Sequence, residues 1–348
     1  MRLFLSSLIF SIVAFLLYNH SFLSSQVTYL IQHTSLTAFL SLPYNKSSLS
    51  TADSILELPF TSPSFFAPSK SANMSIPRAI RQAFLAVEQA EGAGARVRRS
   101  IGTAKLRNFS PFLMLDHFNI SPGAGFPDHP HRGQETITYL LTGAVDHEDF
   151  AGNAGTIEAG DLQFMTAGRG IMHAEMPRQN KDGSANVGMQ LWVDLPEKLK
   201  SCEPRYRDLR AKEIPTINVD DGKVTIKIIS GQSHGTDSVQ ELAYTPVWIF
   251  DMILKPGGRV TQPLPTGWNA FAYTLSGSTI FGVGKDRTAV GQYHNVVFEQ
   301  TGDSVSAEVP ESAKEDGRFC KSYITIPIQV APRHFTNISL QSSSRASP

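Results

Sequence analysis

Between residues 136 and 310 the chain is a succession of short apolar runs divided by Gly, Asp and Pro. TITYLL (136–141), MQLWVD (189–194), VTIKII (224–229) and VWIFDMIL (247–254) have the length and composition of strands, and no long helical period interrupts them. This pattern predicts an all-β protein of the sandwich or jelly-roll kind. Upstream, residues 79–94 read as a short amphipathic helix or an extended arm closed by Gly92 and Gly94.

The pattern also repeats. Residues 122–143 lie over residues 256–277 at a constant offset of 134, without a gap, so that Pro122, Gly123, Gly133, Tyr139, Leu141 and Gly143 recur as Pro256, Gly257, Gly267, Tyr273, Leu275 and Gly277. The recurring glycines suit turns, and the Tyr/Leu run suits inward strand positions. Between them the copies part: His129 and His131 fall on Pro263 and Pro265, and Glu135 on Asn269. A duplicated barrel with chemistry in the first copy alone is the expectation.

His129 and His131 stand in i, i+2 relation and project from one side of an extended strand. His173 and Glu175 repeat that relation about forty residues on. Three imidazoles and a carboxylate converging on one point are a ligand set for a divalent first-row metal. Glu135 competes with Glu175, because strand parity places it on the face of His129 and His131. Asp128 is a candidate acceptor for a ligand imidazole. Phe126, Phe164 and Trp192 either shape a pocket or pack a core. His117 reads as a hydrogen-bonded structural residue, His147 with Glu148 and Asp149 as a polar turn, His234 and His294 as exposed positions. The Arg96/Arg98/Arg99 cluster reads as a solvated strand edge.

Composition narrows the setting. At 348 residues the chain has room for two domains, and 31 Lys+Arg against 31 Asp+Glu leave no excess charge that would call for nucleic acid or acidic lipid. Two cysteines, Cys202 and Cys320, form no CxxC pattern, which leaves His and carboxylate as metal ligands and suits a reducing compartment. Residues 1–73 differ from the rest. They hold five charged residues, and Arg2 followed by the apolar stretch 3–17 resembles a secretory signal or anchor. An organellar presequence is another reading, and a third takes Met74 as the natural start with the preceding stretch as an overextended gene product.

Gly123, His129, His131, Glu135 and Gly143 nearly match the first motif of the cupin superfamily, with one extra residue before the last Gly. The segments RVRRSIG (96–102), PFLMLDHF (111–118), HEDFAG (147–152) and GDLQFMTAGRGIMHAEMP (160–177) resemble the pirin family, and the resemblance runs over about 74–310. It implies two tandem cupin barrels: an N-terminal one at 74–210 with a metal site and a C-terminal one at 211–310 without ligands. The extension 1–73 lies outside the family pattern, and 311–348 reads as a divergent tail. The resemblance also implies metal ligation by His129, His131, His173 and Glu175, one Fe(II) per chain with Mn, Co, Ni or Cu as alternatives, and Glu175 as catalytic base. Glu135 then falls behind the ligands. Two functions follow from it: a quercetin 2,3-dioxygenase acting on flavonols with O2 and releasing CO, or a redox-sensing transcriptional co-regulator binding a transcription factor. A storage cupin is a third reading. The resemblance implies a monomer in nucleus or cytoplasm without direct nucleic-acid binding, and a secretory or membrane-anchored protein if 3–17 is a signal.

Overall fold

The structure is a computed structural model that describes residues 75–239 and 242–324, so the readings made for 1–73 and for the Ser-rich end lie outside the described residues. Within them the protein is built of strands and three short 3-10 turns, arranged as two barrels of the same plan.

The first barrel pairs a seven-stranded sheet with a four-stranded one. The large sheet runs Arg205–Leu209, Leu162–Thr166, Gln134–Thr142, Asn186–Asp194, Phe112–Ile120, Ala95–Ile101 and Glu88–Glu91. The small sheet runs Phe126–His131, Ile171–Pro177, Ala144–Asp149 and Ala154–Glu158. The second barrel repeats this with a seven-stranded sheet of Ile80–Leu85, His294–Phe298, Asn269–Ser276, Gly317–Ile324, Val247–Leu254, Val224–Ser230 and Thr216–Val219. Its four-stranded partner is Arg259–Pro263, Ser304–Glu308, Thr279–Phe281 and Thr288–Val290. The duplication expected from the offset of 134 is thus present in the strand order.

Two segments sit elsewhere than a linear division predicts. Residues Ile80–Leu85 are extended rather than helical, with burial alternating along the strand, and they cross to the edge of the second barrel. Arg78 just before them is buried there, its guanidinium donating to the carbonyls of Pro265 and Gly302 and to that of Trp268. At the other end Gly317–Ile324 is a central strand of the second sheet, paired on both sides. A boundary at 310 therefore divides the second barrel, and the tail assigned from 311 contributes one of its inner strands.

The large sheets pack face to face. The biggest apolar cluster joins both barrels, with Phe112, Leu115, Ile137, Phe164, Met189 and Leu191 from the first meeting Val247, Ile249, Phe271 and Val297 from the second. Tyr139 and Tyr273, expected to face inward, point into this interface instead. The Tyr139 hydroxyl donates to Asp251 at 2.9 Å, and the Tyr273 hydroxyl lies 3.3 Å from Nδ1 of His117. Each tyrosine thus reaches across the pseudo-twofold to a residue of the other barrel, and Asp251 and His117 are themselves related by the offset of 134. Arg318 closes the Asp251 carboxylate with two hydrogen bonds, at 2.9 and 2.7 Å.

Candidate metal centre

In the Phe126–His131 strand, His129 and His131 lie on one side, as their spacing predicts, and the register sets His173 directly opposite His129. The three rings form a nearly equilateral group with centroid separations of 4.8, 4.5 and 4.9 Å. One nitrogen from each lies within 4.8 Å of the others. Strand pairing alone accounts for this closeness, because facing residues of neighbouring strands project to the same side.

The state of the rings suits a metal. His129 Nδ1 donates to the carbonyl of Pro127 at 2.8 Å, which leaves the Nε2 lone pair free. His131 Nδ1 lies 3.1 Å from Nε2 of the Gln134 amide, and the opposite amide rotamer would present the Gln134 oxygen to a proton on Nδ1. Nε2 of both His131 and His173 is buried without a partner, which is unusual for polar atoms in a folded protein. Burial, then the neighbouring His173 and His129, holds His131 down to about 3, and burial lowers His173 against the pull of Glu175. Both imidazoles are neutral at physiological pH. Three converging imidazoles, two of them with a buried and unpartnered Nε2, fit a divalent cation.

Glu175 lies beside this group rather than within it. Its carboxylate is 3.9 Å from His129 Nε2, accepts from the Gln190 amide at 2.8 and 3.1 Å, and lies 3.3 Å from the Thr138 hydroxyl. A buried carboxylate facing the cavity and fixed by these donors could act as a proton acceptor toward a bound ligand.

Glu135 is elsewhere. It accepts from the Thr166 hydroxyl and from the backbone N–H groups of Tyr244 and Thr245, at 2.8, 3.0 and 3.1 Å. Parity failed here because the Phe126–His131 strand ends at His131, and Gly133 at φ +69° turns the chain before the next strand starts at Gln134. The turn brings Gln134 to His131 and sends Glu135 toward the second barrel. Asp128 is exposed, and the acceptor for His129 is the Pro127 carbonyl. His147 lies buried on a strand, not in a turn, stacked on Tyr206 with 5.8 Å between centroids.

A cavity of about 750 Å³ opens onto His129, His131 and Glu175. Phe126 and Trp192 line it, while Phe164 belongs to the interface between the barrels. Arg99, Asp116 and Gln190 line it as the start of a row of opposed residues across the large sheet that continues through Thr138, Gln163 and Asp208. Gln190 escaped sequence reasoning, although a polar residue between Met189 and Leu191 in an otherwise apolar strand was a signal. Arg99 escaped too. Arg96 and Arg98 pair with Glu88 at the edge, but Arg99 turns inward to Asp116.

The comparisons agree with this architecture. The family profile described as Pirin matches residues 94–193. A pirin-like protein of Solanum lycopersicum is 48% identical over 230 residues, covering 66% of this chain and 77% of that protein. The chain belongs to the pirin family. Human pirin is 44% identical over 236 residues, or 68% of this chain and 79% of that one. Among solved structures, a quercetin 2,3-dioxygenase from Acinetobacter baumannii superposes with a TM-score of 0.65 at 28% identity, covering 72% of this chain and 88% of that one. The two-barrel cupin fold that the pirin resemblance implied is the fold observed.

Proposed function

We propose that this pirin is a mononuclear metal-dependent oxygenase of the quercetin 2,3-dioxygenase type, with Fe(II) as its metal. The observation that carries this is the convergence of His129, His131 and His173 beside the buried Glu175 carboxylate, where a cavity opens onto His129, His131 and Glu175. His129, His131 and His173 would hold the metal, with Glu175 as fourth ligand. The ion would supply Lewis acidity toward a hydroxyl oxygen and electron exchange with O2.

The protein's own part is binding and proton handling. Phe126 and Trp192 offer apolar walls to a flat ring system in a cavity of the size that holds small organic ligands. Glu175 accepts the proton of the reacting hydroxyl and later returns it to the product acid. Gln190 and Thr138 fix that carboxylate, and Trp192 Nε1 in turn donates to the Gln190 oxygen at 3.0 Å. In the net reaction both atoms of O2 enter a ring-opened ester, two ring carbon–carbon bonds break, and the carbon between them departs with its oxygen as CO.

A second reading, a redox-sensing co-regulator that binds a transcription factor, draws on the partial exposure of His129, through which a change of charge at the metal would be felt at the surface. It places the protein in nucleus or cytoplasm. Among the described residues no helix is long and apolar enough to cross a membrane. Metal analysis of the purified chain, followed by oxygen uptake and CO release with quercetin under air, separates the two. Turnover lost on His173→Ala supports the oxygenase. Redox-dependent binding to a transcription factor without turnover supports the co-regulator.

A further inference from the structure

The end of the cavity remote from the imidazoles has chemistry of its own. Asp116 is opposed in register by Gln190 on one side and by Arg99 on the other. At about 4.8 Å per strand, Arg99 stands about 10 Å across the sheet from the residue that holds Glu175. Arg99 binds Asp116 through Nε and Nη2, at 2.9 and 2.7 Å, and Glu91 through Nη2 at 2.8 Å. All three line the same cavity as His131, whose buried Nε2 has no protein partner.

This end offers more hydrogen-bond acceptors than donors. Arg99 commits Nε and Nη2 to two carboxylates and keeps Nη1 outside those bonds, whereas Glu91 Oε1 accepts no hydrogen bond from a described residue. Glu91 and Asp128 together with buried Asp116 and Glu175 give the cavity lining four carboxylic groups to one guanidinium. Burial pushes the Asp116 carboxyl up, against the Arg99 hydrogen bonds that pull it down. An anionic group would meet like charge here. A neutral hydroxyl would find an acceptor already fixed in place.

We propose that Glu91 and Asp116, positioned by Arg99, form a hydroxyl-accepting subsite that selects uncharged, flat aromatic substrates carrying hydroxyl groups on the ring remote from the metal. This deepens the oxygenase reading of the same cavity and rests on it for the orientation of the substrate, with the reacting hydroxyl at Glu175 and the outer ring toward Arg99. The subsite requires the outer ring's hydroxyls to raise affinity and Glu91 to be the residue that senses them.

The test is anaerobic calorimetry on the full chain with three flavonols that differ only in outer-ring hydroxyls: quercetin with two, kaempferol with one and galangin with none. The expected affinities fall in that order, with quercetin about tenfold tighter than galangin. Glu91→Gln reduces the difference to about twofold and leaves galangin binding unchanged. Glu91 is half-exposed, so the variant keeps its fold. Equal affinities in the unaltered chain, no measurable binding, or equal weakening of all three ligands by Glu91→Gln overturns the subsite. Graded binding without turnover of any flavonol under air retains the subsite and overturns the oxygenase.

Discussion

The two barrels have the same strand order and opposite interiors. Along the floor of the first runs the polar row from Arg99 to Asp208. The corresponding row of the second runs Ile228, Phe250, Lys321, Ala272 and Val296, and Ile228, Phe250, Ala272 and Val296 in it are fully buried and apolar. Asp116 corresponds to Phe250, and Thr138 to Ala272. On the small sheets His129 corresponds to Pro263, which is opposed by Ser304 where His129 is opposed by His173. One barrel leaves its interior open over a cluster of three imidazoles, and the other fills it with a closed cluster of aliphatic and aromatic side chains. A duplicated scaffold has divided its labour: one copy bears the cost of a polar interior, and the other supplies the packing that holds the interface sheet in place.

The division predicts that changes in the two interiors are read by different instruments. The largest effect is expected from His131→Ala, which removes the metal and lowers turnover more than about a thousandfold, while thermal unfolding matches that of the metal-free unaltered chain. Metal content by mass analysis checks it, and full metal retention would refute the ligand assignment. Next comes Phe250→Ala, which costs about 3–5 kcal/mol of stability and leaves metal content unchanged. Denaturant unfolding reads it, and a parallel loss of metal would show that the barrels are not separable in this way.

Smaller effects probe the seam. Tyr139→Phe removes a hydrogen bond to a charged acceptor and should cost about 1.5–3 kcal/mol, whereas Tyr273→Phe loses a longer contact to a neutral ring and should cost about 0.5–1.5 kcal/mol. Reversal of that order would contradict the asymmetry seen across the pseudo-twofold. A further effect at the same seam concerns acid. Burial, then Arg98 and Arg318, holds His117 down to about 4. Between pH 6.5 and 4 the unfolded chain binds a proton there that the folded chain refuses, so stability is full above 6.5 and falls on acidification toward 4. The contribution is at most about 3 kcal/mol. His117→Gln should flatten that limb of a stability–pH curve, and an unchanged slope would remove His117 from the account.

The site was legible where chemistry follows spacing. Two i, i+2 pairs sufficed for His129, His131 and His173, because strand geometry alone decides which side they face. Glu135 was misplaced because parity holds only within a strand, and Gly133 ends one. The sign was available: Gly133 recurs as Gly267, and both adopt positive φ. Arg99 and Asp116 were not legible, since nothing local distinguishes an inward Arg from Arg96 and Arg98 until the neighbouring strand brings a buried carboxylate opposite it. The second barrel's inner strand at Gly317–Ile324 was missed for a related reason. It was judged by what it did not resemble rather than by its own alternation.

The crossing arm bears on how the molecule is made. Ile80 pairs with Phe298, more than two hundred residues later in the chain. At translation rates of about 5–20 residues per second, the arm emerges roughly 10 to 40 s before its partner strand exists. Before that interval ends every strand of the first barrel, and all three imidazoles, have been synthesised. The metal-type barrel can close on the ribosome while the arm waits, and the second barrel completes last, drawing one strand from the oldest part of the described chain and one from the youngest.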